Sequence, residues 1–383
     1  MLRYIGKRLI QILITLFLFQ AATYFLMDAQ PGDIADLLTL NPDIPPAEQE
    51  RLRTELGLDR PPLERFLTYV GNFYQGDLGV SFTNYPRPVI DIIMERLPRT
   101  LVLFFSATIV YFWMGFTVGK YLAWRRGGFV EYGATITGVT LFTVFTPFFA
   151  LMMIWLFSVW LGWLPAGKFL DPVEWIGAEA TANEVFNGMI YSALISGSVI
   201  LASLFVSNKV ERRWRVPVRL VGTIVPIAAV ILFWWTSGVG HLALDIFTHL
   251  ILPVLTVTLI AFGGTMLLTR TSMLETLRED YILTARAKGV PDKTIRDKHA
   301  ARNALLPVWT SLVFAIGNTV SGGIVTETIF SWPGIGLTLL NATIAEDIPL
   351  AMGALTIIGI LTLLSHLAAD VGYAFLDPRI RYS

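Results

Sequence analysis

Residues Asp280–Pro307 read DYILTARAKGVPDKTIRDKHAARNALLP. Together with Arg278, the stretch carries seven cations: Arg278, Arg286, Lys288, Lys293, Arg296, Lys298 and Arg302. It lies between two apolar runs, about His249–Thr269 and Leu306–Thr326. A bilayer core of about 30 Å takes about 20 apolar residues in a helix. In lipid a helix satisfies its own backbone hydrogen bonds, so runs of this length read as helices. Six further runs have the same character: about Leu9–Met27, Leu101–Ala123, Ala134–Leu161, Val185–Val206, Val218–Thr236 and Leu350–Phe375. The expected fold class is an all-α polytopic membrane protein with about eight spans.

Charge in the short connections sets the expected orientation. Arg3, Lys7 and Arg8 precede the first span, and Arg125 and Arg126 separate the second from the third. Lys209, Arg212, Arg213 and Arg215 separate the fourth from the fifth, and Arg379 and Arg381 follow the eighth. With simple alternation, all of these fall on the same side as the seven cations of the quoted loop. The opposite connections carry only Lys168, with no Lys or Arg in Ser237–Thr248 or Ser331–Leu350. Both termini are therefore expected on the cytoplasmic side. The first run resembles a signal peptide, but Met27-Asp28-Ala29-Gln30-Pro31 offers no small-x-small cleavage site, so it reads as an uncleaved span. The segment Asp28–Thr100 carries several arginines on the outer side. It is too long for the positive-inside rule to bind and reads as a folded region, with helices expected to open at Pro45-Pro46 and at Pro61-Pro62.

Composition agrees with a membrane class. Of 383 residues 54% are hydrophobic, the mean hydropathy is +0.60, and charged residues are 15% against about 25% in soluble domains. Lys plus Arg and Asp plus Glu are 29 each, so nothing global points to nucleic acid, and the absence of cysteine excludes disulfides and thiolate chemistry.

No catalytic, cofactor-binding or metal-binding constellation is visible. There is no phosphate-cradling G-x-x-x-x-G-K-[ST], no H-E-x-x-H and no G-x-S-x-G. His241, His249, His299 and His366 lack ligand spacing. His366 and Asp370, one turn apart in the last span, form a candidate intramembrane polar site; hydrogen bonding to a neighbouring helix is the plainer reading. Glu327 reads as an interfacial turn element before Phe330-Ser331-Trp332-Pro333-Gly334-Ile335-Gly336. Gly115-x-x-x-Gly119 permits close helix approach. Trp160, Trp163, Trp234 and Trp235 read as interfacial anchors.

In the quoted loop, Gly289 supplies a backbone on which a helix can end, and Pro291-Asp292 suits the start of another. Two short helices joined by a turn are expected. Small Ala285 and Ala287 would let another protein approach closely, and the flanking cations offer ion pairs. The alternative is a solvated basic loop against anionic lipid.

Thr284-Ala285-Arg286-Ala287-Lys288-Gly289, followed by His299–Pro307, resembles the coupling loop of binding-protein-dependent ABC importer permeases, specifically the B-type subunit of dipeptide and oligopeptide importers. Pro31-Gly32-Asp33, Leu56–Pro61, Gly76–Ser81, Glu95–Thr100, His249–Pro253, Glu327–Gly336 and Leu376–Arg381 are similar to the same subfamily, so the likeness runs through almost the whole chain. Leu283-Thr284-Ala285 departs from the general Glu-Ala-Ala opening in the manner of peptide-type permeases. The family core has six spans, and about 170–240 reads as an inserted two-helix hairpin that leaves parity unchanged.

The resemblance implies a type I ABC importer transmembrane fold. It implies a first span and extracytoplasmic region over 1–97, a transmembrane domain over 98–376 with its coupling loop at 280–303, and a cytoplasmic tail over 377–383. It implies a prokaryotic cytoplasmic (inner) membrane location and no cofactor. The partners it implies are a second homologous permease, two ABC ATPase subunits that hydrolyse the ATP, an extracytoplasmic substrate-binding protein and membrane lipid. The site residues it implies are Thr284, Ala285, Arg286, Ala287, Lys288, Gly289, Arg302 and Asn303; the outer region Asp28–Thr100 is expected to contact the binding protein. The expected cargo is peptides or similar small solutes; oligosaccharides, nickel, or a stand-alone secondary transporter are the alternatives.

Overall fold

The computed structural model describes residues 2–29, 45, 47, 51, 61–319 and 323–376. Pro31-Gly32-Asp33, most of the helix expected from Pro45, Leu56–Arg60 and the tail 377–383 lie outside the described residues. Two compact units are distinguished, Met1–Trp155 with Pro253–Ser383, and Leu156–Leu252.

Helices lie within each of the eight apolar runs. In the first unit, α1 is Leu2–Asp28, α2 is Pro62–Tyr74, α3 is Val89–Trp124, α4 is Phe129–Thr143 and α5 is Thr146–Ile154, which a π turn extends to Trp160. The second unit holds α6, Ala182–Lys209, and α7, Arg215–Thr236. Helix α8, Gly240–Thr276, is one unbroken helix across Pro253. Then come α9, Asp280–Ala287; α10, Ala301–Thr319; α11, Ile324–Ile329; α12, Ile335–Ile344; and α13, Ile348–Leu376. Among the described residues six helices are long and apolar enough to cross a membrane, and the α4–α5 pair adds a seventh if its two halves form one span.

Two boundaries differ from expectation. The third run was expected as one span over Ala134–Leu161, but α4 and α5 are bent by 106°, with Val144 and Phe145 in extended backbone. Pro147 has no N–H for the carbonyl of Thr143, and its ring would clash there. Pro98, Pro226, Pro253 and Pro307 sit inside helices without ending them, so the proline is not sufficient alone. Here it follows Thr143, Val144 and Thr146, whose branched side chains crowd a helical turn. The seventh run was expected to reach Thr326; α10 ends at Thr319, and Thr326 belongs to the separate α11.

Helix α2 is fixed by its apolar face. Phe66 is buried, with its ring 5.6 Å from Phe17 and 5.5 Å from Tyr24 and from Phe25 of α1. The Tyr69 hydroxyl lies 3.0 Å from that of Thr356 on α13. Between the spans, glycine sets the spacing. A Cβ on Gly115 would stand 2.7 Å from the Cβ of Thr265, and one on Gly119 would stand 2.7 Å from the Cβ of Thr269 and closer still to the Met266 carbonyl. A Cβ on Gly263 would collide with the backbone of Gly138 on α4. Helices α3, α4 and α8 thus meet almost backbone to backbone, the use to which small residues are put in membrane packing.

The expected cost is specific. Gly119→Ala should lower resistance to unfolding in detergent by about 1–3 kcal/mol, because the obstacle is backbone and side-chain repacking offers no relief. Gly133→Ala, where a Cβ meets nothing within 4 Å, should be neutral or stabilising by up to about 1 kcal/mol. Equal unfolding midpoints for the two variants would contradict the close contact.

Candidate functional site

The cation-rich loop is held on a hydrophobic base. Ile282 and Ile295 are fully buried in a cluster with Ala123 of α3, Met273 of α8 and Ala300, Ala301 and Ala304. Ala285, Val290, Trp124, Leu274 and Leu277 pack around it. Ile282 and Ala285 are three residues apart and so share the inner face of α9. The opposite face is open: Leu283, Thr284, Arg286, Ala287, Lys288 and Gly289 are exposed. Of the small residues singled out in the sequence, Ala287 therefore points outward, whereas Ala285 is half-buried against its own chain.

Helix α9 ends in a Schellman arrangement. Gly289 stands at φ 69°, its N–H donates to the Arg286 carbonyl at 2.9 Å, and the Val290 N–H donates to the Ala285 carbonyl at 3.1 Å. Glycine takes this left-handed conformation without steric cost. The next segment differs from expectation. Asp292 does not cap a separate helix: Pro291 is the capping residue, and a single turn, Asp292–Thr294, opens into a π turn, Ile295–Ala300, that runs straight into α10. The loop is thus one short helix and an extension of the following span.

Polar bonds tie this extension to α3. Both carboxylate oxygens of Asp297 accept from the Arg296 guanidinium at 2.9 Å, and Lys120 Nζ of α3 lies 3.1 Å from Asp297 Oδ1. The Arg296 hydrogen bonds, and after them Lys120, hold the Asp297 carboxyl far below the usual carboxylate range. Nearby, Asn303 Nδ2 donates to the Tyr281 hydroxyl at 2.7 Å, and the Arg286 guanidinium lies 5.9 Å from the Trp124 ring. Arg302 is exposed. One turn further into the spans, Arg270 of α8 and the Gly127 N–H both bond Glu131 at the start of α4.

The opposite ends of the first unit's helices are closed by two buried carboxylates. Glu327, expected as an interfacial turn element, is fully buried in α11. Its Oε1 accepts from the Thr100 hydroxyl at 2.7 Å and its Oε2 from the Leu337 N–H at 2.9 Å, while the Ile335 N–H donates to Thr100 Oγ1 at 2.8 Å. It is the acceptor for the first turn of α12, brought there by Gly334 and Gly336, which leave no room for a Cβ beside it. Trp332, also buried, donates to the Arg99 carbonyl at 3.1 Å. Asp347, which sequence reading passed over, accepts from the hydroxyls of Ser81 and Thr83 at 2.5 and 2.7 Å and from the N–H groups of Thr83 and Leu350 at 3.0 and 3.2 Å.

Of the intramembrane pair, the His366 side chain is among the described residues. His366 Nδ1 lies 2.7 Å from the Thr362 carbonyl, and the ring borders a cavity of about 360 Å³ with Arg8, Gln11 and Thr15 of α1. The side chain of Asp370 lies outside the described residues.

The profile of the family described as "Binding-protein-dependent transport system inner membrane component" matches residues 115–382, and that of its N-terminal region matches residues 1–104. The chain belongs to this family. It is similar over its full length to the oligopeptide transport system permease protein AppB of Bacillus subtilis (31% identical, covering 100% of both chains). It is likewise similar to the dipeptide transport system permease protein DppB of Escherichia coli K12 (31%, covering 100% of this chain and 99% of the relative). The di/tripeptide transport system permease protein DppB of Pseudomonas aeruginosa is 30% identical with the same coverage. As an inner membrane component of a binding-protein-dependent transport system, the chain is a transport permease subunit that operates with a substrate-binding protein and other subunits.

For such a permease, the residues that sequence reading missed are those supporting the loop. Ile282 and Ile295 were legible only as apolar residues in a polar loop. Lys120 and Asp297 lie 177 positions apart, and nothing local announces their pairing.

An ion pair this open to water contributes about 1 kcal/mol at most, so its value is positional. A carboxyl with a depressed folded-state pKa stabilises the fold above its unfolded value of about 3.9 and loses that contribution only as pH falls through the lower folded value. Proteolytic protection of Lys288–Arg296 should therefore be unchanged from pH 8 to pH 5 and fall only below the ordinary carboxylate range. Asp297→Asn should show reduced protection already at pH 8, and a Lys120→Asp, Asp297→Lys exchange should restore part of it. Protection that declines between pH 8 and 5 in the wild type would exclude Asp297 as the group concerned.

Proposed function

We propose that this chain forms half of the translocation pathway of an ATP-driven ABC importer, with ATP hydrolysed on separate subunits that engage α9. The reading includes a second homologous permease and two ATPases, with both termini and the loop 280–303 on the cytoplasmic side. It divides the chain into 1–97, the first span with an extracytoplasmic region that meets the binding protein, a transmembrane domain over 98–376, and a cytoplasmic tail over 377–383. The family matches at 1–104 and 115–382 support the first boundary, and the separate unit Leu156–Leu252 supports reading about 170–240 as an inserted hairpin. Peptides are the cargo class, on the support of the full-length relatives, whose names specify oligopeptides, dipeptides or di/tripeptides.

The observation that carries the reading is the two-sidedness of α9. One face is immobilised by Ile282 in a cluster that joins α3, α8 and α10, and the other presents Leu283, Thr284, Ala287 and Lys288 to the outside. A short helix with a fixed base and an open, small-residue face suits a partner that must push on it. Ala287 lets the partner's backbone approach, Leu283 offers apolar contact, and Arg286, Lys288 and Arg302 offer ion pairs. Ala285 serves as part of the base, and Asn303 holds Tyr281 at the start of the helix.

The test separates coupling from folding. Ala287→Glu puts an unpaired charge into the contact, at a cost of about 3 kcal/mol or more once buried. ATPase association should weaken about 100-fold, with uptake lost and the spans intact by circular dichroism. Gly289→Pro removes the N–H that closes α9 and imposes a negative φ; it should leave ATPases bound while uncoupling hydrolysis from uptake. Normal transport by both variants would refute the assignment. Affinity purification in mild detergent should recover two ATPases and a second permease, and recovery of the chain alone, moving solute without ATP, would refute it equally.

A further inference from the structure

Helices α6 and α7 pair with each other and leave most of their surface apolar and exposed. Within α6 only Val185, Phe186 and Ser207 are buried, and within α7 only Pro226. Both are long and apolar enough to cross a membrane. The pairing is close: a Cβ on Gly222 would collide with the Ser203 side chain. Lipid tails are the natural surroundings of such a pair.

The turn that joins them is unlike the rest of the hairpin. From Ser207 to Arg219 it carries Lys209, Arg212, Arg213, Arg215 and Arg219 against one carboxylate, Glu211, a net charge of +4. The opposite end, around Thr181 and Thr236, has Glu179 and Glu184 and no Lys or Arg. Glu211 takes Arg213, at 3.0 Å. Arg215 and Arg219 hydrogen-bond to neutral oxygens, Arg215 Nε to the Val210 carbonyl at 3.2 Å and Arg219 to Ser207 Oγ and Asn208 Oδ1, each at 2.9 Å. These bonds fix the positions of the guanidinium groups without cancelling their charge. Trp214 stands among them half-exposed, with its ring 5.8 Å from the Arg213 guanidinium, and Lys209 Nζ lies 4.5 Å from the Phe205 ring. An exposed indole between fixed cations, at the end of two lipid-facing helices, matches the level of the headgroups.

We propose that the turn Ser207–Arg219 binds the phosphate headgroups of anionic phospholipid, so that the hairpin moors the permease to one leaflet. Charge complementarity selects this occupant: the cations meet headgroup phosphates at the depth at which the apolar helices end. The inference rests on α6 and α7 lying in lipid and not on the coupling role of α9, so the two can fail separately.

The experiment takes the intact complex from vesicles containing equal phosphatidylcholine and phosphatidylglycerol and identifies the lipids it retains by native mass spectrometry. Wild type should retain phosphatidylglycerol preferentially. The triple variant Arg212→Gln, Arg213→Gln, Arg215→Gln should lose that preference, with association weakened about fivefold for each cation removed near the surface. The corresponding triple Arg→Lys variant should keep it, and circular dichroism should show both variants folded. Unchanged retention in the Gln variant would overturn the proposal, as would loss in the Lys variant. Displacement of the lipid by millimolar glycerol phosphate would assign the turn to a free phosphate ester instead. An acidic soluble protein that co-purifies with wild type and is lost in the Gln variant, with lipid retention unaltered, would replace lipid by protein.

Discussion

Apolar side chains gain nothing by leaving lipid tails for one another, so helices in a bilayer are held by close van der Waals contact and polar bonds. In this chain that constraint falls on the line Gly115–Gly119 of α3, Thr265–Thr269 of α8 and the crossing of Gly138 with Gly263. What lies nearer the loop depends on it. Ala123 and Trp124 follow Gly119 by about one turn, and Met273 follows Met266 by about two turns on α8. These residues supply the base on which Ile282 and Ile295 rest. A shift of α3 against α8 would open that base before it disturbed anything in the loop itself.

The two ends of the first unit use carboxylates differently. At one end Glu327 and Asp347 are wholly buried and accept only from hydroxyl and backbone N–H groups. Each sits where a helix begins, and the orphan N–H groups of a helix start supply donors that need no compensating cation. At the other end Glu131 and Asp297 face Arg270, Arg296 and Lys120. Arg270, Arg296, Lys120 and Asp297 are each still partly open to solvent there, so the pairs escape the full desolvation penalty of a buried salt bridge. The first arrangement fixes geometry rigidly. The second holds it through bonds that water can replace.

The helices were legible because a long apolar run has one solution in lipid, and helices lie within all eight runs, six of them long and apolar enough to cross a membrane among the described residues. The end of α9 was legible because Gly289-Val290-Pro291 has few backbone options. The break at Val144-Phe145 was hidden by the proline habit of the rest of the chain, since four other prolines sit within helices unbroken. The inward turn of Ala285 could have been read from its spacing to Ile282, but only with the knowledge that the loop folds back on the span ends. Ser81 with Asp347, and Lys120 with Asp297, are joined across 266 and 177 positions. A single sequence carries no local trace of such pairs, because each residue is an ordinary polar residue in its own surroundings.

The π turn at Ile295–Ala300 bears on how force would pass through the proposed coupling surface. A flexible linker after α9 would absorb a displacement before it reached a span. Here the chain after Pro291 is helical without interruption into α10, with a widened turn at Ile295–Ala300. A widened turn can change its hydrogen-bond register without breaking the helix, and such turns recur at functional sites. Asp297 lies inside this turn and reaches α3, while Ile282 before it reaches α8. A push on the open face of α9 would therefore arrive at three helix ends together: at α8 and α3 through apolar contact, at α10 through the continuous backbone, and again at α3 through the Lys120–Asp297 pair. Of these links, the Lys120–Asp297 pair can yield without exposing apolar surface. Lys120 and Asp297 can therefore let go first, while Ala123 and Trp124 keep the end of α3 on the hydrophobic base.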